Sequence, residues 1–117
     1  MPKAFATQIE QRDGVVWIIL PETIDMDNYR HIEEMIEPEL TRRGIQVVFD
    51  FSKTTALFSS GLGLIIRIKK QIDELKGKLF LLCVSRKLEE GFSNVGLDKV
   101  FTICRSREEL QQCLAKS

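Results

Sequence analysis

The sequence predicts an α/β domain with a mixed, mostly parallel sheet of four to five strands, about four helices and an initial β-hairpin. Three observations support this prediction. Short apolar runs alternate with longer stretches of helical periodicity, which is typical of parallel strands joined by helices. A turn signal separates the first two runs. The 117 residues match the commonest domain size and contain no linker or repeat, so we expect a single domain over residues 1–117.

The hairpin is predicted around the turn signal Arg12-Asp13-Gly14. Before this turn, Ala4–Glu10 shows the mild alternation of a strand. After the turn, Val15–Leu20 is apolar on both faces, which indicates a central strand that is covered on both sides or covered by helices on one. Pro21 ends this second strand.

The first helix is predicted from Asp27 to about Arg43, with Asp25 or Asp27 accepting hydrogen bonds from its first turn as N-cap. Pro38 lies inside this range, where proline removes a hydrogen bond and costs about 3 kcal/mol. We therefore expect a kink or a break near Glu37. The buried stripe of this helix is predicted at Tyr29, Ile32, Ile36 and Leu40.

The rest of the chain predicts three strands that alternate with three helices. The strands are Ile45–Phe51, Lys78–Val84 and Val100–Cys104. The helices run from Ser59 or Ser60 to about Leu75, over Arg86–Asn94 and over Ser106–Ala115. The inward side chains are predicted to be Leu62, Ile65, Ile66, Ile72 and Leu75 in the first of these helices and Leu110, Cys113 and Leu114 in the last.

The charge balance excludes two classes of partner. The chain has 17 Lys and Arg and 17 Asp and Glu, so no net charge attracts it to nucleic acid or to an anionic membrane. The acidic surplus lies in residues 1–44 and the basic surplus in the remainder. No apolar run approaches the roughly 20 residues that span a bilayer, so membrane insertion is not expected.

The cysteine pattern gives no metal site. Cys83, Cys104 and Cys113 form no CxxC pair, and the chain has one histidine. Each lies among apolar neighbours, so we expect small core residues. The odd number of thiols and the lack of a signal sequence predict a cytoplasmic protein in a reducing compartment.

Signatures of catalysis are scarce, so we expect no enzyme, no catalytic residue and no cofactor. The stretch Ser60-Gly61-Leu62-Gly63 lacks both the P-loop pattern and the third glycine of a dinucleotide fingerprint. His31 and the carboxylates around it are interpreted as a solvated helix face. A small enzyme or a nucleotide-binding protein stays as a minor third alternative.

Two serines stand at the predicted start of the second helix. In the structural interpretation, one serine caps the helix, and Gly61 and Gly63 let the helix approach the sheet. In the functional interpretation, Ser59 accepts a phosphate, because unpaired N–H groups and the helix dipole stabilise a charge of nearly −2. Such a charge would break a protein contact on an otherwise flat, partly apolar surface.

At this point the chain resembles the STAS domain, the fold of bacterial anti-sigma factor antagonists. The family's Asp-Leu-Ser strand end corresponds to Asp50-Phe51-Ser52, and its Asp-Ser-Ser-Gly-Leu-Gly helix start to residues 58–63. Lys78–Ser85, Gly96–Phe101 and Arg107–Leu110 resemble the family's later strand, turn and helix. The resemblance covers essentially the whole chain in order.

The resemblance implies a regulatory binding module. Family members bind an anti-sigma factor that is a serine kinase (a GHKL-type ATPase), and they are inactivated by phosphorylation and restored by a phosphoserine phosphatase. The phosphorylated serine corresponds to Ser59, with Ser60 as the alternative, and the acidic loop residue near the kinase corresponds to Asp25. The implied partner surface comprises Asp25, Phe58, Ser59, Ser60, Gly61 and Leu62.

The chain departs from the family pattern at the site itself. Phe58 replaces the acidic residue that normally precedes the phosphorylated serine, and the usual glycine before the loop acid is absent. Phe58 is either an exposed apolar anchor for a partner or tucked under the loop. The alternative function is therefore a constitutive, unphosphorylated STAS scaffold or partner subunit in a signalling or lipid-transport assembly.

Overall fold

The computed structural model describes residues 7–82 and 85–116. Its strands are β1 (Gln8–Arg12), β2 (Val15–Ile19), β3 (Thr23–Ile24), β4 (Gln46–Asp50), β5 (Ala56–Leu57), β6 (Lys78–Leu82) and β7 (Thr102–Cys104). Its α-helices are α1 (Tyr29–Ile36), α2 (Ser59–Glu74), α3 (Arg86–Asn94) and α4 (Arg107–Lys116), with short 3-10 helices at Glu37–Glu39 and Leu97–Lys99.

Five strands form the main sheet in the order β1-β2-β4-β6-β7. Only β1 runs antiparallel to its neighbour, so the predicted mixed, mostly parallel sheet is confirmed. Asp13 and Gly14 both have positive φ angles, 51° and 81°. This is the pair of left-handed residues that a two-residue hairpin turn requires, and it confirms the predicted hairpin.

Helices cover both faces of the sheet. Helices α1, α2 and α3 pack with one set of strand side chains, including Val16, Ile18 and Phe49. Helix α4 packs through Leu110 on the other set, which includes Trp17 and Phe80. Because β2, β4 and β6 are central strands with both faces covered, their sequences are apolar on both sides.

A second, two-stranded sheet was not predicted. In it β3 pairs with β5 in parallel, Thr23 opposite Ala56 and Ile24 opposite Leu57. The two segments follow β2 and β4 in the chain, so they bring together the connections that lead to α1 and α2. Strands of two residues are too short to show any period in the sequence.

The predicted first helix was too long. The α-helix ends at Ile36, and the chain continues as the 3-10 turn around Pro38, so the predicted break near Glu37 is confirmed. The expected cap at Asp25 or Asp27 is wrong. Asn28 occupies the N-cap position without a side-chain cap bond. The expected inward stripe is confirmed, with Ile32 and Ile36 buried and Tyr29 and Leu40 packed against the same core.

The later elements agree with the prediction within a few residues, with one correction in α2. Ile66, expected to face inward, is 45% exposed, and Leu64 and Ile68 are buried instead. Cys104 is buried as expected and Cys113 is half-buried. The predictions for residues 4–6, Cys83 and Val84 lie outside the described residues.

Candidate functional site

The site predicted from the sequence is a surface depression where two strand-to-helix connections meet. Asp25, Met26 and Asp27 line it from the β3–α1 connection, and Phe58, Ser59 and Ser60 line it from the start of α2. The β3–β5 pairing brings these connections together, and Phe58 N donates to Ile24 O at 3.0 Å. Four of the predicted site residues, Asp25, Phe58, Ser59 and Ser60, therefore lie side by side.

Helix α2 begins without a serine cap. Phe58 is the extended N-cap residue, and its carbonyl accepts hydrogen bonds from Gly61 N and Leu62 N at 2.9 and 3.0 Å. The expectation that a serine side chain caps this helix is therefore wrong. Ser59 is the first helical residue and is exposed. Within the described chain, the backbone N–H groups of Ser59 and Ser60 have no hydrogen-bond acceptor, as is usual in a first turn.

The two serines differ in accessibility. The Ser60 hydroxyl is buried and has no hydrogen-bond partner among the described residues, whereas Ser59 is exposed at the edge of the depression. A kinase must bring the γ-phosphate of ATP against the attacking hydroxyl. Only the Ser59 hydroxyl is open to such an approach without opening of the helix start.

Gly61 places the helix directly against the β3–β5 pair. A Cβ at Gly61 would clash with Leu57 Cδ1 and would lie 2.8 Å from Ile24 Cγ2. The expected close approach is therefore present, although the helix start approaches the small sheet and not the main one. Gly63 is less constrained, because its Cβ would meet only the flexible end of Arg67, at 3.1 Å.

Asn28 braces the acidic side of the depression. Its side chain is buried, accepts a hydrogen bond from Asp25 N at 3.0 Å and donates one to Thr23 O at 2.7 Å. The Asp25 carboxylate in turn accepts from Asp27 N at 2.9 Å. The sequence prediction missed Asn28. The available signal was an Asx residue immediately before a helical stripe.

Asp50, in the motif Asp50-Phe51-Ser52, has a structural role. Its carboxylate is buried, accepts from Trp17 Nε1 at 3.1 Å and from Ser52 N at 2.9 Å. Further along the same loop, Thr54 Oγ1 donates to Pro21 O at 2.8 Å. These bonds fix the path of the loop between β4 and β5 and thereby the position of α2.

Phe58 projects into solvent and is 55% exposed, so it is not tucked under the loop. Met26, across the depression, is 82% exposed. On its other side Phe58 borders an apolar groove of about 280 Å³ between the start of α2 and α3. The groove is lined by Thr55, Ala56, Leu57, Phe58, Leu62, Lys87, Leu88, Gly91 and Phe92.

Charged side chains join α1 to α2 beside the site. Arg67 forms a two-pronged ion pair with Glu33, at 3.0 Å from Nε and 2.8 Å from an Nη atom. Hydrogen bonding to Glu33 raises the pKa of Arg67. Gln71 donates to Glu37 at 3.3 Å one turn further along. Glu33 of α1 and Glu37 of the following 3-10 turn thus form surface contacts with α2.

The described residues offer neither a metal centre nor a membrane span. In residues 7–82 and 85–116, no group of three His, Cys, Asp or Glu side chains is close enough to hold an ion. No helix in these ranges has the length and apolar character needed to cross a bilayer.

Comparison with known families and sequences gives a consistent result. A sequence model of the STAS domain matches residues 6–110. The proposed anti-sigma factor antagonist BtrV of Bordetella bronchiseptica is 23% identical over 100 residues, which cover 86% of each chain. A shikimate kinase of Clostridium beijerinckii is 35% identical over 99 residues, but the alignment spans only 57% of that protein and 74% of this chain.

Solved structures share the fold. An anti-sigma factor antagonist (STAS) domain protein from Planctomyces limnophilus superposes with a TM-score of 0.82 at 19% identity, covering 92% of this chain and 95% of that one. The Bacillus cell fate determinant SpoIIAA in its phosphorylated form superposes with a TM-score of 0.63 at 20% identity, covering 92% and 98%.

Proposed function

Because this chain belongs to the STAS domain family, we propose that it is an anti-sigma factor antagonist whose binding to an anti-sigma factor serine kinase is abolished by phosphorylation of Ser59. In this proposal the chain is a binding module of the cytoplasm and has no catalytic activity of its own. The kinase adds the phosphate, and a phosphoserine phosphatase removes it.

The observation that supports the proposal is the position of Ser59. Its hydroxyl is exposed at the first position of α2, next to two backbone N–H groups without acceptors. These groups and the helix dipole stabilise a phosphate. The names of the relatives agree with this function, since BtrV is a proposed anti-sigma factor antagonist and SpoIIAA has a phosphorylated form.

The surroundings of Ser59 explain how a phosphate would act on a bound partner. The exposed side chains of Met26 and Phe58 flank Ser59, and a partner that covers them would exclude water from the depression. A phosphate would place a charge of about −1.5 to −2 in that contact, beside Asp25 and Asp27. Desolvation of this charge and repulsion from any carboxylate of the partner would dissociate the complex.

The test combines mass measurement with binding. Incubation with the anti-sigma factor kinase and Mg-ATP is expected to add about 80 Da to the chain and to the Ser60→Ala control, but not to Ser59→Ala. The variant Ser59→Asp is expected to lose binding to the kinase in calorimetry, whereas the uncharged control Ser59→Asn retains it. Phosphate on any other residue, or undiminished binding by Ser59→Asp, would contradict the proposal.

Phe58 favours one competing function, a constitutive scaffold or partner subunit. An exposed phenyl ring in place of a carboxylate suits a permanent apolar contact. A scaffold would form a complex that tolerates Ser59→Asp and is weakened by Phe58→Ala. The same pair of variants in one binding experiment therefore separates the two functions.

A further inference from the structure

The two described cysteines touch each other at the edge of the sheet. Cys104 Sγ and Cys113 Sγ are 3.7 Å apart, close to van der Waals contact. Cys104 ends β7 and is fully buried opposite Leu82, whereas Cys113 lies on α4 and is half-buried. The contact therefore joins the last strand to the last helix.

The local structure keeps the two sulfurs together. Ser106 Oγ accepts a hydrogen bond from Glu109 N at 3.1 Å, which fixes the first turn of α4 directly after β7. Leu110 is buried under the helix, and Cys113 follows three residues later on the same face. Leu110 is the only residue of α4 that is fully buried, so this short helix is held to the sheet by few contacts.

We propose that Cys113 and Cys104 form a thiol-oxidation site, at which a hydroperoxide converts the two thiols into an intrachain disulfide that ties α4 to β7. The inference is independent of the proposed function, because it concerns the opposite face of the sheet from α2. To reach bonding distance, the sulfurs must approach from 3.7 Å to about 2.05 Å.

The reaction proceeds in two balanced steps. The Cys113 thiolate attacks a peroxide oxygen, so an S–O bond forms, the O–O bond breaks and hydroxide leaves. The Cys104 sulfur then attacks the sulfenic sulfur of Cys113; the S–S bond forms, the S–O bond breaks, and the Cys104 proton leaves with that oxygen as water. Two thiols lose two electrons in total, and one hydrogen peroxide is reduced to two waters.

The different burial of the two cysteines indicates which of them reacts first. Burial, followed by the hydrogen bond with Cys113, raises the pKa of Cys104 to about 12, so Cys104 stays a thiol at neutral pH. Cys113 is half-buried and thus the more exposed of the two residues, so we assign its sulfur as the one that peroxide meets first. Cys104, already in contact, then resolves the sulfenic acid before further oxidation.

The test is peptide mapping of the full chain after treatment with one equivalent of hydrogen peroxide. Trypsin cleaves after Lys78, Arg86, Lys99, Arg105, Arg107 and Lys116, so each cysteine falls in a different peptide. We expect an intact mass lower by about 2 Da, peptide 100–105 linked to peptide 108–116, and an unlinked Cys83 peptide. Dithiothreitol should reverse the change.

A second measurement tests the structural consequence. Trp17, the single tryptophan, lies in the cluster beneath α4 and reports on its docking. The oxidised chain should melt at least about 5 °C above the reduced chain, because the cross-link restricts the unfolded state. Cys113→Ser should show neither the linked peptides nor the shift. Linkage through Cys83, oxygen adducts on Cys113 without loss of 2 Da, or no reaction of either thiol would each overturn the proposal.

Discussion

Gly61 allows α2 to begin directly against Ile24 and Leu57, because any side chain there would occupy the space of those two residues. Ser59 lies two residues before Gly61 in the first turn of α2. The contact of Gly61 with the pair β3–β5 therefore places Ser59 at the surface beside that pair. Asn28 performs the corresponding task on the other connection, through its bonds to Asp25 N and Thr23 O. The intrachain contacts of Gly61 and Asn28 thus hold in place the two connections that form the depression around Ser59.

The variant Gly61→Ala tests the first of these contacts. We expect it to destabilise the fold by about 1–3 kcal/mol, because the new methyl group overpacks the contact with Ile24 and Leu57. The measurement is urea unfolding followed by Trp17 fluorescence. The matched control is Gly63→Ala, which should be neutral or stabilising by up to about 1 kcal/mol, because only the Arg67 side chain must move. Equal effects of the two substitutions would contradict this account of the helix start.

The variant Asn28→Ala tests the two hydrogen bonds that the Asn28 side chain forms with Asp25 N and Thr23 O. Removal of the Asn28 amide leaves Asp25 N and the Thr23 carbonyl without this partner, which should lower the free energy of unfolding by about 1–3 kcal/mol. The exposed neighbour Asp27 is the control, and Asp27→Ala should change stability by no more than about 0.5 kcal/mol. Both values come from the same urea titrations, and a harmless Asn28→Ala would show that the bonds contribute nothing.

At the scale of elements, α3 carries a glycine that the fold does not need. A Cβ at Gly91 would meet nothing within 4 Å, although glycine inside a helix costs about 1 kcal/mol relative to alanine. Gly91 lines the groove that Phe58 borders. We therefore attribute the glycine to the groove, which a side chain at this position would fill, and we include the groove in the proposed partner surface.

The variants Gly91→Ala and Gly91→Leu test this interpretation. Both should raise the stability of the isolated chain, by about 0.5–1 kcal/mol, because helix propensity improves and nothing is displaced. Gly91→Leu should weaken binding of the anti-sigma factor kinase at least about tenfold, whereas the smaller Gly91→Ala should weaken it less. Unchanged affinity in calorimetry with the leucine variant would remove the groove from the partner surface.

The sequence predicted well those strands and helices that are longer than one repeat of their pattern of apolar residues. The runs around Val15–Leu20 and Ile45–Phe51 are apolar on both faces, and that property identifies central strands. The pair β3–β5 has two residues per strand and is held by tertiary hydrogen bonds, so no local pattern marks it. The position of Asn28 at the start of α1 is likewise held by a hydrogen bond outside the helix, from its side-chain amide to Thr23 O, which no helical period in the sequence indicates.

The candidate site was predicted less completely than the sheet. The sequence identified the serines and the glycines, because a motif carries them. The capping role that it assigned to a serine is wrong, because the N-cap position falls on Phe58, whose side chain has no acceptor. It could not decide the exposure of Phe58, which depends on how the loop from β4 packs. It also misjudged Ile66, because the buried stripe of α2 runs through Gly61, Leu64, Ile65, Ile68 and Ile72, and Ile66 lies beside this stripe and not on it.

For the whole molecule, the decisive property is the zero net charge. One ion pair, Glu33 with Arg67, joins the acidic N-terminal part to the basic remainder. The described site itself exposes Phe58 and Met26. A chain with zero net charge has no net monopole to attract a partner from a distance, so we expect association to be driven mainly by burial of this apolar surface.

This reasoning predicts weak salt dependence for the complex of the unphosphorylated chain with the anti-sigma factor kinase. The association rate constant, measured by stopped flow, should change by less than about threefold between 50 and 500 mM NaCl, whereas steered complexes slow far more over such a range. The charge variant Lys87→Glu, which alters the rim of the groove, is the control for local steering. It should change the association rate at 50 mM NaCl and lose that effect at 500 mM, since a charge at the rim of an interface acts mainly on encounter. A tenfold loss of association rate with salt would show that local charges attract the partner despite the neutral total, and the apolar surface around Ser59 would then not be the main source of affinity.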